Sequence, residues 1–299
     1  MSKKRFRIGR HINTTHGFTT APAYANSIGC EVFQVFLGSP QAVNSKPKKE
    51  KDLITFSSEL TTYKLKMVVH GSYTINLCHP PKSKQFQSSI KALVRDLTAT
   101  HTIGNRCMGV IIHMGKNIKT NNITDQQAIR NYIRGLKKAL AETPDDTNII
   151  LETGASQGTE VGSRIDGLEE IYWGLNIEER KRVKFCIDTC HIWASGYDIS
   201  TNGGVRKFFV EFDKAIGVDR IACIHFNDSK TGLNSNVDRH ADIGHGHIKS
   251  TGLKAVLKYA KKRKIPVILE TPLDTVDPKT NKDVTFPQEL RRIKGWLKN

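Results

Sequence analysis

Short apolar runs, many of them β-branched, recur along the chain: "RFRIGRHI", "EVFQVFLG", "KMVVHG", "GVIIHMG", "NIILETG", "VKFCIDTCH", "IACIHFND" and "IPVILETP". Their near-continuous apolar character predicts parallel strands covered on both faces, because a strand with one wet face would alternate instead. Residues 83–102, 125–142, 166–179 and 247–262 carry Leu, Ile, Val and Ala at helical spacing. A tail over 281–296, with Leu290, Ile293 and Leu297, predicts a closing helix. Eight strands alternating with helices predict an α/β (β/α)8 TIM barrel, with an open doubly wound sheet as the alternative. No Gly/Ser/Pro-rich linker and no close internal repeat divides the sequence, so residues 1–299 are expected to form one domain.

The polar residues fall at the ends of these runs. His70, His113, Glu152, Asp188, His225 and Glu270 close six of them, and His191 follows Asp188. One such residue would be a satisfied core histidine or a capping carboxylate. Six in succession exceed capping, which favours Asp, Ser and Thr over His and Glu. A barrel gathers the C-terminal strand ends on one face, where active sites sit. Imidazoles and carboxylates without thiolates suit catalytic zinc, with manganese or iron as alternatives. So many donors need two or more ions. Closely spaced ions supply a water of lowered pKa and a clamp on attacking and leaving oxygens, which suits phosphoester cleavage.

The segment "VDRHADIGHGHI", residues 237–248, adds two aspartates and three histidines. Asp238 and His240 are two apart and share a face, so they can hold one ion together. Asp188 and His191 are three apart and, on an extended strand, would face opposite ways and serve different ions. His245 and His247 are surplus to this set, and an outer supporting or helix-start role is expected for them.

The chain is 38% apolar and 25% charged, the composition of a soluble globular protein. No apolar run reaches the length of a membrane span, so no membrane partner is expected. The N-terminus lacks the apolar segment of a secretory signal. Six cysteines without a C-x-x-C pair point to reduced thiols and an intracellular, reducing compartment, in cytoplasm, nucleus or a viral setting. Nothing reads as an assembly motif, and a monomer is expected.

The net charge of +17 and pI of about 9.6 add a polyanionic partner, nucleic acid before membrane. The runs "ERKRVK" and "KKRKIP" precede strands and belong to the face away from the strand ends, where lysines also suit helix C-termini. The cations expected near the site are Lys46, Lys48, Lys49, Lys82, Lys84, Lys116, Lys119, Arg164, Lys230, Arg239, Lys279 and Lys282.

In order along the chain, "GRHIN", "VVHGSYTINL", "IILETGASQG", "FCIDTCHIWASGYDI", "HFNDSK", "VDRHADIGHGHI" and "VILETP" resemble the endonuclease IV type of apurinic/apyrimidinic (AP) endonuclease over nearly the whole length. The resemblance implies a barrel holding three zinc ions. It assigns His70 and His113 to the first, with Glu152 bridging to the second; Asp188, His225 and Glu270 to the second; and His191, Asp238 and His240 to the third. It implies hydrolysis of the phosphodiester 5′ to an abasic site in double-stranded DNA, leaving a 3′-hydroxyl and a 5′-deoxyribose phosphate, with Glu152 and Glu270 as catalytic groups. The family flips the abasic nucleotide out and fills the gap with loop side chains, and Tyr73 matches its tyrosine at that task. Gln41 roughly aligns with an inserting residue. Lys230 and Arg239 are further expected DNA contacts. The chain departs from the family at "HGSY" and "HMGK", where proline is common near the histidine, and at His245, which replaces the glutamate of "GEG". A metal-dependent sugar isomerase or epimerase on the same barrel and a non-catalytic DNA-binding protein are the competing readings.

Overall fold

In a computed structural model describing residues 5–15, 17–277 and 281–298, the eight apolar runs are strands β1 (Ile8–His11), β2 (Val32–Phe36), β3 (Lys66–His70), β4 (Cys107–Ile112), β5 (Ile149–Glu152), β6 (Val183–Asp188), β7 (Ile221–His225) and β10 (Val267–Leu269). All pair in parallel, and they close into a barrel in the order β1-β10-β7-β6-β5-β4-β3-β2. The open-sheet alternative is excluded by the pairing of β1 with β10.

Helices α1 (Ala21–Ser27), α2 (Glu50–Thr62), α3 (Lys84–Ile103), α4 (Asp125–Ala141), α5 (Ile165–Trp173), α6 (Ile177–Lys181), α7 (Thr189–Ala194), α8 (Asn202–Ala215), α9 (Ser250–Arg263) and α10 (Phe286–Trp296) connect or close it. Ser83 caps α3 through its hydroxyl, and Thr124 with Gln127 forms a capping box on α4, so both begin where their sequences allow. The single helix expected over 166–179 is two. Gly174 ends α5, and Asn176 accepts from the amides of Glu178 and Glu179 to start α6 afresh. The tail helix begins at Phe286, later than expected, because 276–277 and 282–283 pair first as β11 (Val276–Asp277) and β12 (Lys282–Asp283). β8 (Asp228–Ser229) and β9 (His240–Ala241) form a second short antiparallel pair.

Strand residues alternate faces, and this sorts the barrel interior into levels. Val32, Val68, Ile150, Cys186, Cys223 and Ile268 form an inner apolar plug. Their neighbours Phe33, Val69, Leu151, Phe185 and Leu269 point outward into the larger core beneath the helices. Two residues beyond the plug, the inner positions become Gln34, His70, Glu152, Asp188, His225 and Glu270. The fold thereby places the polar strand ends in one layer.

Gly9 occupies the plug level on β1, where a Cβ would lie 1.5 Å from the Val32 carbonyl oxygen. Gly9→Ala is expected to cost about 3 kcal/mol, the upper end for overpacking, read as a lowered denaturation midpoint. A midpoint equal to the parent's contradicts this close approach.

Candidate metal centre

Register explains the convergence. Asp188 and His225 are direct partners on β6 and β7, and Glu152 ends the adjacent β5. Glu152 is buried at the centre. Its Oε2 lies 3.4 Å from His70 Nε2 and 3.2 Å from His113 Nε2. Its Oε1 lies 2.7 Å from His225 Nδ1 and 3.6 Å from His191 Nδ1. Glu270 Oε2 approaches the same His225 nitrogen at 3.0 Å. Above them, Asp238 reaches His191 Nε2 at 3.1 Å and His240 Nε2 at 3.2 Å.

Among the described residues, three groups built of imidazole and carboxylate alone have donor atoms within 4.8 Å of one another: His70, His113 and Glu152; Glu152, Asp188, His225 and Glu270; and His191, Asp238 and His240. All nine residues singled out by strand ends and spacing are therefore brought together, with Glu152 shared by two groups. The separation of Asp188 from His191 has a different cause from the expected one. Asp188 is the N-cap of α7, and its Oδ1 accepts from the His191 amide at 2.9 Å. The chain turns into helix there, so no extended strand sets the two apart.

Three buried polar atoms in this cluster, Glu152 Oε2, His191 Nε2 and His240 Nε2, make no well-formed hydrogen bond and face the ion-pair contacts at 3.1–3.4 Å given above. Such an atom costs about 1–3 kcal/mol when left unsatisfied. A cation in the first group would engage the Glu152 atom, and one in the third would engage both imidazole nitrogens. The donor chemistry, imidazole and carboxylate, fits zinc.

Without a cation the cluster holds protons instead. Burial pushes the Glu152 carboxyl up, but His225 and His113 pull it well below the usual range. Burial lowers His240, yet Asp188 and Asp238 raise it to about 9. A metal would displace these protons. Cys186 and Cys190 lie within 4.8 Å of donor atoms of the second and third groups. Burial drives Cys186 well above its ordinary value and Cys190 to about 12, holding both as neutral thiols.

The strand-end pattern missed the residues that orient this set. Gln34 is fully buried in mid-strand. Its Oε1 accepts from His225 Nε2 at 2.8 Å, and its Nε2 donates to Glu270 Oε1 at 2.6 Å. This leaves Nδ1 of His225 facing the carboxylates. His70 and His191 donate from Nδ1 to the carbonyls of Gly71 and Thr153, each at 2.7 Å, which leaves their Nε2 atoms as donors to a metal. Asn227 Nδ2 donates to Asp188 Oδ2 at 2.7 Å. The available signal was the glutamine itself, an amide inside an otherwise apolar run. Gln34→Leu is expected to weaken zinc binding about 10–100-fold, measured by competition with a chromogenic chelator. Parent-like affinity would remove Gln34 from this role.

A cavity of about 560 Å³ opens over the cluster, lined by Tyr73, Lys116, Glu160, His191 and Glu270 among others. The half-exposed Tyr73 ring lies 5.3 Å from the His70 ring and 5.2 Å from that of His113. Gln41 is exposed on the loop after β2. The Pro40 carbonyl beside it accepts from the Tyr73 amide at 2.8 Å and the Ser72 hydroxyl at 2.9 Å, tying the two loops together.

Lys230 is paired with Asp274 at 2.6 Å, while Arg239 is exposed and donates to the Asp238 carbonyl. Arg164 is exposed, packs over the Tyr197 ring and donates to the Ser195 carbonyl. Lys279 lies outside the described residues. His245 and His247 are exposed and lie outside all three donor groups. Nor do they start α9, which begins at Ser250. Their loop is instead fixed by its backbone, since buried Asp228 accepts from the amides of Gly244, Gly246 and Ile248.

A closed parallel barrel with these donors at its C-terminal mouth defines the class: the chain belongs to the xylose isomerase-like TIM barrel family, whose model matches residues 22–298, and within it to the endonuclease IV type. It is 63% identical over 292 residues to a putative endonuclease 4 of Acanthamoeba polyphaga mimivirus, covering 98% of this chain and 94% of the relative. It is 34% identical to a probable endonuclease 4 of Nitrosopumilus maritimus, covering 90% and 94%. The solved endonuclease IV of Thermus thermophilus superposes with a TM-score of 0.79 at 27% identity, covering 98% and 99%. A D-tagatose 3-epimerase-like protein shares the fold at 15% identity, with a TM-score of 0.71 and 97% of each chain covered.

Proposed function

We propose that this protein is a zinc-dependent AP endonuclease of DNA repair that hydrolyses the phosphodiester 5′ to an abasic site in double-stranded DNA. The observation that carries the reading is the convergence of nine imidazoles and carboxylates in three donor groups, with three buried atoms that make no well-formed hydrogen bond. His70, His113 and Glu152 would hold one zinc, Glu152, Asp188, His225 and Glu270 a second, and His191, Asp238 and His240 a third. Bound zinc supplies Lewis acidity toward the phosphate and a water of lowered pKa.

The chain's own groups do the positioning. Glu152, held by burial and four imidazoles, directs one carboxylate oxygen into each of two donor groups. Gln34 fixes Glu270 and His225 against each other. The water oxygen joins phosphorus, the bond to the upstream 3′ oxygen breaks, and a proton ends on that oxygen. The products are a 3′-hydroxyl and a 5′-deoxyribose phosphate. An abasic nucleotide has no pair to break, so extruding it into the cavity above the cluster costs less than flipping a paired base.

Tyr73 stands at the rim to occupy the vacated space, with Gln41 on the loop tied to it. Tyr73→Ala is expected to lower kcat/KM for incision about 10–100-fold, from a stacking contact of about 1–3 kcal/mol, with zinc content unchanged. Unaltered kcat/KM would leave Tyr73 as rim packing alone. The exposed cations Lys116 and Arg239 suit phosphate contacts, and the charge of +17 supports a polyanionic substrate. A sugar epimerase shares the barrel but calls for fewer metals and no such charge. The six free thiols support an intracellular setting.

The test is incision of a labelled duplex bearing one tetrahydrofuran analogue, which cannot undergo β-elimination. A single 5′ cut whose product a DNA polymerase extends, abolished by chelation, is expected. No cut by zinc-loaded, folded protein overturns the reading.

A further inference from the structure

The alternation that places the metal donors two residues beyond the apolar plug also determines what lies two residues before it. Lys66 precedes Val68, Lys184 precedes Cys186, and Arg7 lies before Gly9. These basic side chains line a second cavity of about 560 Å³ at the N-terminal mouth of the barrel, at the end opposite the metal donors. Arg5, Arg263 and Lys264 extend its lining.

Among the described residues, little charge at this mouth opposes Arg7 and Lys66. Glu31 is engaged by Arg5, and Asp219, the one acid among the described residues of the cavity lining, lies 3.8 Å from Arg220 Nε. The cations do have neutral partners. Arg7 Nη1 donates to the carbonyls of Glu31 and Lys64 at 3.0 and 3.1 Å, and Lys66 Nζ donates to that of Asn105. Those bonds tie neighbouring turns together but cancel no charge. Burial lowers the Arg7 and Lys66 pKa values, and nearby cations lower them further: Arg5 and Arg106 for Arg7, Arg106 and Arg7 for Lys66. Affinity of lysines for a helix C-terminus accounts for residues 261–263 at the end of α9. It does not account for Arg7 and Lys66, which stand at strand starts.

We propose that the N-terminal mouth of the barrel is a second anion site, remote from the metal centre, that takes a phosphate-bearing ligand. A concave set of guanidinium and ammonium groups, in which Arg5, Arg7 and Lys66 repel one another, matches the charge and hydrogen-bonding demand of phosphate oxygens. The volume admits an oligophosphate or a nucleic-acid backbone segment.

The test uses zinc-loaded, full-length protein with tripolyphosphate as the probe. Lys66→Met keeps the aliphatic stem, and Lys264→Asn suits the left-handed backbone there, whose φ is 57°. The double variant is expected to bind tripolyphosphate at least about 10-fold more weakly by calorimetry, while zinc content stays at the parent level. If the pair fails to fold, Lys264→Asn alone is expected to weaken binding about 3-fold. Equal affinity in variant and parent overturns the site.

Undamaged duplex DNA identifies the source of the phosphate. If the backbone is the occupant, the log–log salt slope of DNA binding falls by about one to two in the double variant. An unchanged slope alongside lost tripolyphosphate binding assigns the site to a free oligophosphate.

Discussion

Glu152→Gln is expected to reduce incision of abasic DNA by about 10³-fold. The carboxylate is buried and faces four imidazoles, one oxygen toward His70 and His113 and the other toward His225 and His191. Removing one partner from a buried charge set costs about 3–5 kcal/mol, and each 1.4 kcal/mol or so is tenfold in rate. The amide also presents a donor where both oxygens now face imidazole nitrogens. Single-turnover incision at saturating zinc measures the effect, with elemental analysis beside it. A loss of less than about tenfold in folded, zinc-replete variant would remove Glu152 from the centre of the account.

Stripping the metals is expected to lower Tm by at least about 10 °C. An ion that binds only the folded chain stabilises it by about 4 kcal/mol at a thousandfold excess over its Kd. Three such ions give about 12 kcal/mol, and about 2 °C per kcal/mol suits a chain of this size. The stripped protein must also carry the mutual repulsion of Glu152, Asp188, Glu270 and Asp238, relieved only by protons on the imidazoles. The gap between loaded and stripped protein should therefore narrow as pH falls, because protons then compete with metal for His113, His191, His225 and His240, whose pKa values, against the effect of burial, the neighbouring carboxylates raise. Scanning calorimetry before and after chelation, at pH 8 and pH 6, checks both the size and the trend. A gap that is absent, or that widens in acid, contradicts the metal centre.

The barrel was legible because strands buried on both faces leave continuous apolar runs, and all eight quoted runs became barrel strands. The donors were legible for a related reason: a histidine or glutamate at the end of such a run has no local use. Asp238 and His240 were legible only as a close pair, and β9 carries His240 back over the mouth. What the runs concealed is also physical. Gln34 looks like an interruption within "EVFQVF", and only the closed barrel shows that its inner position meets His225 across the lumen. The break between α5 and α6 was hidden because apolar spacing continues through Gly174 and Asn176 while the backbone does not. The sequence predicts an outer supporting or helix-start role for His245 and His247, yet the amides held by Asp228 leave their side chains exposed and the helix begins only at Ser250. Three of the cations beneath the plug, Arg7, Lys66 and Lys184, were written in the same alternation, two residues before Gly9, Val68 and Cys186.

Zinc titration of stripped protein, with incision of the tetrahydrofuran duplex read at each step, tests the central claim most directly. The account predicts a 5′ cut that is absent in stripped protein, rises with added zinc and saturates at three equivalents per chain. Saturation at a single equivalent, or three equivalents bound with no incision, would contradict it.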